Sequence, residues 1–319
     1  FCQYEEDTVL PANHVPDSDT VWVTTTEESV DHQPPFGQGS LVYNVIDVRQ
    51  SYLQNVVVQG LKRLGFKEEA NRSIHFSYEM VALSPACCEE LNIELSEEDR
   101  GKPHIEVSGR KGLGVKADDL INKLIEKSIE EIDSRWTELN KDTKNRIATQ
   151  IAIGALRYFL IKYTRNSVIS FDFNEALNFE GETGPYLQYS VVRANNIFRK
   201  LEEQPKWSNS VWEKHCHNMW LNPASITELI NDDETWALLM QIGRIDEIIE
   251  QAVITLEMSI LAKQTFNLAQ QFNLFYHKHH ILSERNPVAQ CFYVAVVDAA
   301  RKGLLKMLDL LGIQVPEKM

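Results

Sequence analysis

The sequence L-V-Y-N-V-I-D-V at residues 41–48 is a nearly continuous apolar run that is rich in β-branched side chains. Such a run is typical of a strand buried on both faces of a parallel sheet. Residues 50–64 then show the periodicity of an amphipathic helix that Gly65 would end. The segment I-H-F-S-Y-E-M-V-A-L at residues 74–83 is a second strand candidate. This order predicts a βαβ unit with a right-handed crossover, and therefore an α/β fold for this region.

The flanking regions differ in character from this α/β region. Residues 1–39 are acidic and rich in turn formers, with one strand predicted at residues 20–26, and residues 84–104 form an acidic stretch that predicts a surface insertion. After a short strand at residues 104–107, the periodicity becomes helical from Ala117 onward and is predicted to stay so. The predicted helices are residues 118–138, 142–165, 186–203, 225–230, 234–282 with a break, and 287–311. The second half is therefore predicted to be an all-helical bundle.

The composition is that of a soluble globular protein large enough for two domains. The chain has 319 residues, of which 43% are hydrophobic and 24% charged, and no apolar run is long enough to span a membrane. Five scattered cysteines and the lack of a signal peptide predict reduced thiols and a cytoplasmic location. The net charge of −14 argues against a nonspecific DNA-binding protein, although a local basic patch could still bind RNA.

A turn rich in glycine and cations occupies residues 106–120, with the sequence E-V-S-G-R-K-G-L-G-V-K-A-D-D-L. Bare backbone and positive charge both suit a phosphate chain. The candidates for phosphate contacts are Ser108, Arg110 and Lys111, with Gly109, Gly112 and Gly114 allowing the backbone to flex. The alternative is a charged hairpin tip, and the spacing alone does not decide between the two because no Walker pattern is present.

The carboxyl end of the first strand is a second candidate site. Ligands of open α/β sheets bind at this edge, which favours Asp47, Arg49 and Gln50 as binding residues. The alternative is that Asp47 or Ser51 caps the helix that follows.

A third motif, F-E-G-E-T-G-P-Y-L-Q-Y-S-V-V-R, occupies residues 179–193. Pro185 fits the first turn of a helix, and Tyr186, Tyr189 and Arg193 would then lie on one helix face. Aromatic and guanidinium groups on one face suit nucleotide stacking and phosphate contact. They suit a helix packing interface equally well.

Two histidine groups are candidates for metal or RNA binding. The segment His215-Cys216-His217 is too tightly spaced for a closed zinc site without distant ligands. The segment Y-H-K-H-H at residues 276–280 ends an amphipathic helix, where cations interact favourably with the helix dipole. No metal site is predicted, and RNA contact is the favoured interpretation of the second group.

Taken in order, these motifs resemble the class I arginyl-tRNA synthetases from about residue 41 to residue 319. The matching pieces are V-Y-N-V-I-D-V-R-Q, I-H-F-S-Y-E-M-V, V-S-G-R-K-G-L-G-V-K-A-D-D-L, F-E-G-E-T-G-P-Y-L-Q-Y and A-A-R-K-G-L-L-K-M-L-D-L-L-G-I. The D-A-A-R sequence at residues 298–301 also resembles the D-A-L-R signature of the family's anticodon-binding domain. The resemblance implies the C-terminal half of a Rossmann-type nucleotide-binding domain at residues 1–117, a helical connector at 118–185 and an anticodon-binding helical bundle at 186–319.

The resemblance also implies roles for individual residues. V-S-G-R-K-G takes the place of the family's K-M-S-K-S loop, so Ser108, Arg110 and Lys111 would hold the triphosphate of ATP, with Mg²⁺ as the metal cofactor. The implied substrate contact is Gln50 for L-arginine, with Asp47 beside it. The implied ATP contacts also include His75, Met80, Val81, Gly109 and Gly112. The implied contacts with tRNA(Arg) are Tyr186, Gln188, Tyr189 and Arg193. His277 is a further predicted tRNA contact, because it belongs to the histidine segment at residues 276–280, for which RNA contact is the favoured interpretation.

Three departures from the family pattern qualify these roles. Val191 stands where a histidine is frequent, and Val107 stands where the loop usually has methionine. No H-I-G-H-type motif occurs, so we expect that the chain starts inside the catalytic domain, that an N-terminal half is missing and that the isolated chain does not activate arginine. A catalytically silent tRNA-binding module and a scaffold that binds a partner are the alternatives to a ligase.

Overall fold

The fold is that of a computed structural model, which describes residues 2–3, 22–23, 39–107, 115–135, 138–204, 214, 217 and 226–319. The chain divides into two compact units, residues 1–45 with 50–76, and residues 46–49 with 77–319. Within the described ranges, no helix combines the length and the apolar character that a membrane span requires.

The first unit contains two small sheets and two helices. Its elements are β1 (Cys2–Gln3), β2 (Trp22–Val23), β3 (Val42–Asp47), α1 (Ser51–Arg63), α2 (Lys67–Asn71) and β4 (Ser73–Tyr78), of which β3 and β4 reach into residues of the second unit. Strand β1 pairs with β2 in an antiparallel manner, and β3 pairs with β4. Gly65 follows α1 with a φ of +95°, a conformation that ends a helix and that glycine adopts without steric cost. The predicted strand, helix, strand order is thus present.

The prediction that the first strand is buried on both faces is wrong. The Val45 side chain is 63% exposed, and Val42 and Tyr43 are exposed as well. The described part of β3 has one neighbouring strand in a two-stranded sheet, and α1 buries none of its residues. An apolar run indicates that a strand is stabilised by apolar contacts, but it does not show which part of a protein provides those contacts. All described sheets have two strands, so a larger Rossmann-type sheet is not observed in these residues.

The second unit begins with a parallel pair of short strands. Its elements before the bundle are β5 (Val81–Leu83), α3 (Pro85–Glu90), α4 (Glu97–Arg100), α5 (Ala117–Arg135), α6 (Lys141–Ile161), β6 (Ile169–Phe171) and α7 (Phe173–Ala176). Strand β5 pairs with β6 in the register Val81↔Ile169 to Leu83↔Phe171. The single strand predicted at residues 74–83 is two strands, β4 and β5. Strand β6 lies between the helices predicted at residues 142–165 and 186–203, in a half of the chain that is predicted to be all-helical.

The acidic stretch at residues 84–104 is partly internal, which corrects its prediction as a surface insertion. Ser84 caps α3 by accepting a hydrogen bond from the amide of Cys87 at 3.0 Å. Cys87 and Cys88 then pack into a core with Phe159 and Phe171. Burial raises the pKa of the Cys87 thiol to about 12, so this thiol stays protonated and unreactive at neutral pH.

The helical bundle is confirmed, but the element predicted at residues 234–282 with a break is three helices, which end at residues 243, 255 and 278. Its helices are α8 (Gly184–Glu202), α9 (Thr227–Ile230), α10 (Asp233–Gly243), α11 (Ile245–Thr255), α12 (Met258–Lys278) and α13 (Pro287–Leu310). Asn286 caps α13 by accepting from the amide of Val288 at 3.0 Å, and Pro287 occupies the first turn. Helices α8, α12 and α13 bury one continuous apolar core that includes Leu268, Phe272 and Leu304.

Candidate functional site

The residues predicted to bind the triphosphate of ATP lie outside the described residues. They are Ser108, Gly109, Arg110, Lys111 and Gly112, and Gly114 is also outside. Their assignment stays a prediction. The described chain resumes at Val115, directly before α5, whose first turn carries Asp118 and Asp119.

An ion-pair cluster links the end of β3 to the residues before this turn. The Asp47 carboxylate accepts from the Arg49 guanidinium at 2.8 and 3.0 Å and from the Arg49 amide at 2.8 Å. These hydrogen bonds lower the pKa of Asp47 to about 2. Arg49 also contacts the carboxylate of Glu106 at 3.3 Å, two residues before Ser108. The tip of β3 and the segment that enters the cationic turn are therefore neighbours.

The helix-cap alternative is observed in part. Helix α1 itself has Gln50 at its N-cap position without a side-chain cap hydrogen bond, but Asp47 accepts from the Arg49 amide in the 3-10 turn Val48–Gln50 that leads into α1. Gln50 is exposed to solvent at the end of the short 3-10 turn Val48–Gln50. Its predicted contact with arginine stays a prediction.

The residues predicted to contact adenine lie in β4, at the start of β5 and in the segment between these strands. His75 is half-buried in β4, whereas Val81 opens β5 and is exposed. The carbonyl of Met80 accepts from the amide of Ile169 at 3.1 Å, and the amide of Met80 donates to the Glu79 carboxylate at 3.3 Å. Both backbone groups of Met80 thus have partners within the chain.

The motif at residues 179–193 starts α8 at a very close helix crossing. Thr183 caps the helix, because its hydroxyl accepts from the amide of Tyr186 at 3.3 Å and donates to the carbonyl of Asn178 at 2.5 Å. Gly184 lies directly against the backbone of Gly154 in α6, so a Cβ atom at Gly184 would lie 2.3 Å from the Gly154 carbonyl oxygen. Glycine is therefore required at position 184, because the backbones of the two helices are in direct contact there.

Gln188 is an internal residue, which differs from its predicted contact with tRNA. Its side chain is 0% exposed. Its amide nitrogen donates to the carbonyl of Gln150 at 2.9 Å and to the carbonyl of Gln314 at 2.7 Å. Gln188 thus joins α8 to α6 and to the segment after α13. A polar residue on a helix can face either solvent or buried carbonyl groups, and the spacing in sequence does not distinguish them.

Three other predicted tRNA contacts form one connected cluster. The Arg193 guanidinium lies over the rings of Tyr189 and Tyr276, 4.8 and 5.0 Å from their centroids, and donates to the side chain of Asn273 at 2.5 Å. Buried Asn273 in turn donates to the hydroxyl of Tyr186 at 3.0 Å. We call these five residues the α8–α12 cluster.

Asn273, which holds this cluster together, is not among the residues predicted from the sequence. The available signal is an asparagine within the apolar face of α12, between Leu268, Phe272 and Phe275. A buried amide needs hydrogen-bond partners, and here Tyr186, Ser190 and Arg193 supply them. Arg193 lies over the rings of Tyr189 and Tyr276, both half-buried, and these cation–π contacts link α8 to α12.

The histidine segment at residues 276–280 is largely engaged within the protein. Lys278 forms ion pairs with Asp232 and Glu234, and His279 contacts the Asp232 carboxylate at 3.1 Å. His277 is exposed and contacts the ring of Tyr276, so its predicted contact with RNA stays a prediction. In the other histidine segment, His215 and Cys216 lie outside the described residues.

Asp232 connects the start of α10 to the end of α12. It caps α10 by accepting from the amide of Thr235 at 3.0 Å while also binding Lys278 and His279. Burial alone would raise the pKa of Asp232, but the hydrogen bonds from Lys278, Thr235 and His279 outweigh it and hold the pKa well below its usual range.

Asp232→Asn keeps the helix cap but removes the negative charge, and we expect it to lower the free energy of unfolding by about 1–2 kcal/mol at neutral pH. The folded pKa is depressed, so this contribution is present above the ordinary pKa of 3.8 and is lost as the pH falls through the folded value. Urea denaturation at several pH values measures it, with exposed Glu68→Gln as the control. A destabilisation that does not shrink in acid would contradict this account.

The D-A-A-R sequence at residues 298–301 makes contacts within the protein. Asp298 pairs with Arg301 at 2.7 Å and with Lys302 at 2.6 Å, and the Arg301 guanidinium lies 4.6 Å from the ring centroid of Phe198 in α8. The Arg301 side chain of this signature therefore packs α13 against α8.

Comparisons with known proteins agree with these features. Residues 187–319 match the DALR anticodon binding domain. The arginine–tRNA ligase of Pyrococcus furiosus is 32% identical over 286 residues, which cover 89% of this chain and 41% of that protein. The arginine–tRNA ligase of Deinococcus radiodurans is 28% identical over 316 residues, covering 95% of this chain and 46% of that protein. The chain thus spans less than half the length of these curated relatives.

Solved structures give the same result. The arginyl-tRNA synthetase of Thermus thermophilus superposes with a TM-score of 0.66 at 25% identity, over 88% of this chain and 41% of that one. The Plasmodium falciparum arginyl-tRNA synthetase superposes with a TM-score of 0.62 at 18% identity over 88% of this chain and 41% of that one, which shows a shared fold. With the motifs, the helical bundle and the sequence relatives in agreement, the chain belongs to the arginyl-tRNA synthetase family and aligns with the C-terminal part of its members.

Proposed function

We propose that this chain is the tRNA-binding part of an arginine–tRNA ligase, which joins L-arginine to tRNA(Arg) in the cytoplasm with ATP and Mg²⁺. The observation that carries the proposal is the α8–α12 cluster, which lies in the region that matches the DALR anticodon binding domain except for Tyr186, one residue before it. Tyrosine rings held by a guanidinium group offer flat surfaces on which unpaired bases stack. The domain limits 1–117, 118–185 and 186–319 are part of this proposal.

We further propose that the first unit is part of a Rossmann-type catalytic domain and that another part of that domain covers its apolar surface. Two features support this proposal. Exposed apolar side chains lie on both β3 and α1, among them Val45 and Tyr52. The chain also spans 41% of the Pyrococcus furiosus relative. Asp47 and Gln50 would bind arginine at the edge of this domain, while the turn at residues 108–112 would hold the triphosphate.

Tyr189→Ala is expected to weaken binding of an arginine tRNA transcript about tenfold, because stacking on an aromatic ring contributes about 1–3 kcal/mol per base. Fluorescence anisotropy at fixed salt measures the Kd, since contacts with phosphates make affinity salt-dependent. Tyr189→Phe keeps the ring and should bind almost normally. Tyr52→Ala removes an exposed tyrosine from α1 and serves as the matched control.

A transcript with a changed anticodon separates specific from general RNA binding. We expect it to bind the wild-type chain more weakly than the arginine tRNA, and we expect Tyr189→Ala to reduce this difference. Equal affinity for the two transcripts, or equal loss in Tyr189→Ala and Tyr52→Ala, would refute the assignment of the α8–α12 cluster as the tRNA interface.

A further inference from the structure

A separate pocket of about 590 Å³ lies between α5, α6 and the chain that follows α7. This volume is in the range of pockets that take small molecules. It is lined by apolar side chains of α5 and α6, which we call its floor, and by Lys318 and Met319. The pocket shares no lining residue with the α8–α12 cluster or with the residues predicted to bind ATP and arginine.

The floor of the pocket can hold an apolar group. Ile132, Ile147 and Ile151 are buried in one cluster, against which Leu139 and Met319 pack. One wall is the ring of Phe179, and the Arg135 guanidinium lies 4.7 Å from its centroid. A ligand with an aromatic or alkyl body would therefore replace water over an apolar surface.

The charges around the pocket favour a positively charged ligand. The two cations that line it on α5 are already neutralised, because Lys127 pairs with Glu90 at 2.6 Å and Arg135 pairs with Glu131 at 2.6 Å. The remaining lining charges are those of Glu130, Glu180 and Lys318. None of these three has an ion-pair partner among the residues that the structure describes, so two carboxylates stand against one ammonium group.

We propose that this pocket binds a small organic cation, in which a primary ammonium group is attached to a compact aryl or alkyl body. The body would lie on the isoleucine floor beside Phe179, and the ammonium group would be directed to Glu130 and Glu180 at the rim. Neutral molecules with the same body would gain the apolar contact alone, and carboxylates would meet two like charges.

The test compares three probes that share one body: 2-phenylethylamine, 2-phenylethanol and 3-phenylpropanoate. Titration calorimetry on the full chain should give the tightest binding for the amine, with the alcohol about fivefold to tenfold weaker and the carboxylate weaker still. The double variant Glu130→Gln, Glu180→Gln should lose this preference for the amine while binding the alcohol as before. Glu126→Gln removes the same charge from α5 outside the pocket lining and is the matched control.

A filling variant, Leu139→Trp, should weaken all three probes together, and its melting curve reports whether it is folded. Equal affinity for the amine and the alcohol would overturn the proposal. So would amine binding that the double variant leaves unchanged, or the absence of amine binding at millimolar concentration.

Discussion

Gly184→Ala is expected to lower the free energy of unfolding by about 3 kcal/mol, at the upper end of what overpacking costs. The added methyl group would lie 2.3 Å from the carbonyl oxygen and 2.6 Å from the carbonyl carbon of Gly154. Both atoms belong to the backbone of α6, so neither can rotate away as a side chain would. Helices α6 and α8 would have to separate, and every contact along their crossing would weaken. Thermal unfolding followed by circular dichroism should show a decrease in Tm of several degrees.

Gly60→Ala is the matched control for this experiment. Gly60 lies within α1, and a Cβ atom there would meet nothing within 4 Å. The substitution should be neutral or stabilise the protein by about 0.5–1 kcal/mol, because alanine favours the helix more than glycine does. If Gly184→Ala unfolded at the same temperature as the wild type, the close crossing would not be present in solution.

Gln188→Met is expected to destabilise the protein by about 2–4 kcal/mol, because the carbonyls of Gln150 and Gln314 each lose a buried hydrogen-bond donor. Methionine has nearly the same length and volume, so the lost hydrogen bonds account for most of the effect. Urea denaturation measures the free energy of unfolding directly. If Gln188 instead contacts tRNA, the variant should retain its stability and lose affinity for RNA.

Gln188→Glu gives an independent check through its pH dependence. A carboxylate at this position would face two carbonyl oxygens in a buried site, so its folded pKa should rise above the ordinary value of about 4.3. A raised carboxyl pKa means that the folded variant holds its proton while the unfolded chain releases it. The variant should therefore be most stable in mild acid and lose stability as the pH rises through the folded pKa. Gln188→Met should show no such dependence beyond that of the wild type.

Long helices are the part of the fold that the sequence predicts best. The helix predicted at residues 287–311 is observed at Pro287–Leu310, because its apolar periodicity, its proline and the glycine beyond it are all local signals. The pairing of β5 with β6 joins residues 81–83 to residues 169–171, and strands of three residues carry no periodicity of their own. Such a pairing depends on how α5 and α6 pack between them in the chain, which is not a local property.

The candidate site, too, is predicted from the sequence only where it depends on neighbouring residues in the chain. Tyr189 and Arg193 share one face of a helix as predicted, since four residues make about one helical turn. Gln188 belongs to the same motif but is internal, because its partners Gln150 and Gln314 are 38 and 126 residues away in sequence. The role of the cationic turn at residues 108–114 depends on its glycine and cation content and on the family resemblance, because these residues lie outside the described ones. Glu106, two residues before the turn, contacts Arg49.

The crossing of α6 and α8 also has a consequence for how related sequences can diverge. A Cβ atom on Gly154 would lie 2.5 Å from the side-chain nitrogen of Gln188, so the amide occupies the space that a side chain at position 154 would need. The residues tolerated at positions 154, 184 and 188 therefore depend on one another. In homologues we expect them to covary, with a larger residue at position 154 accompanied by a shorter one at position 188 and a wider spacing between the two helix axes.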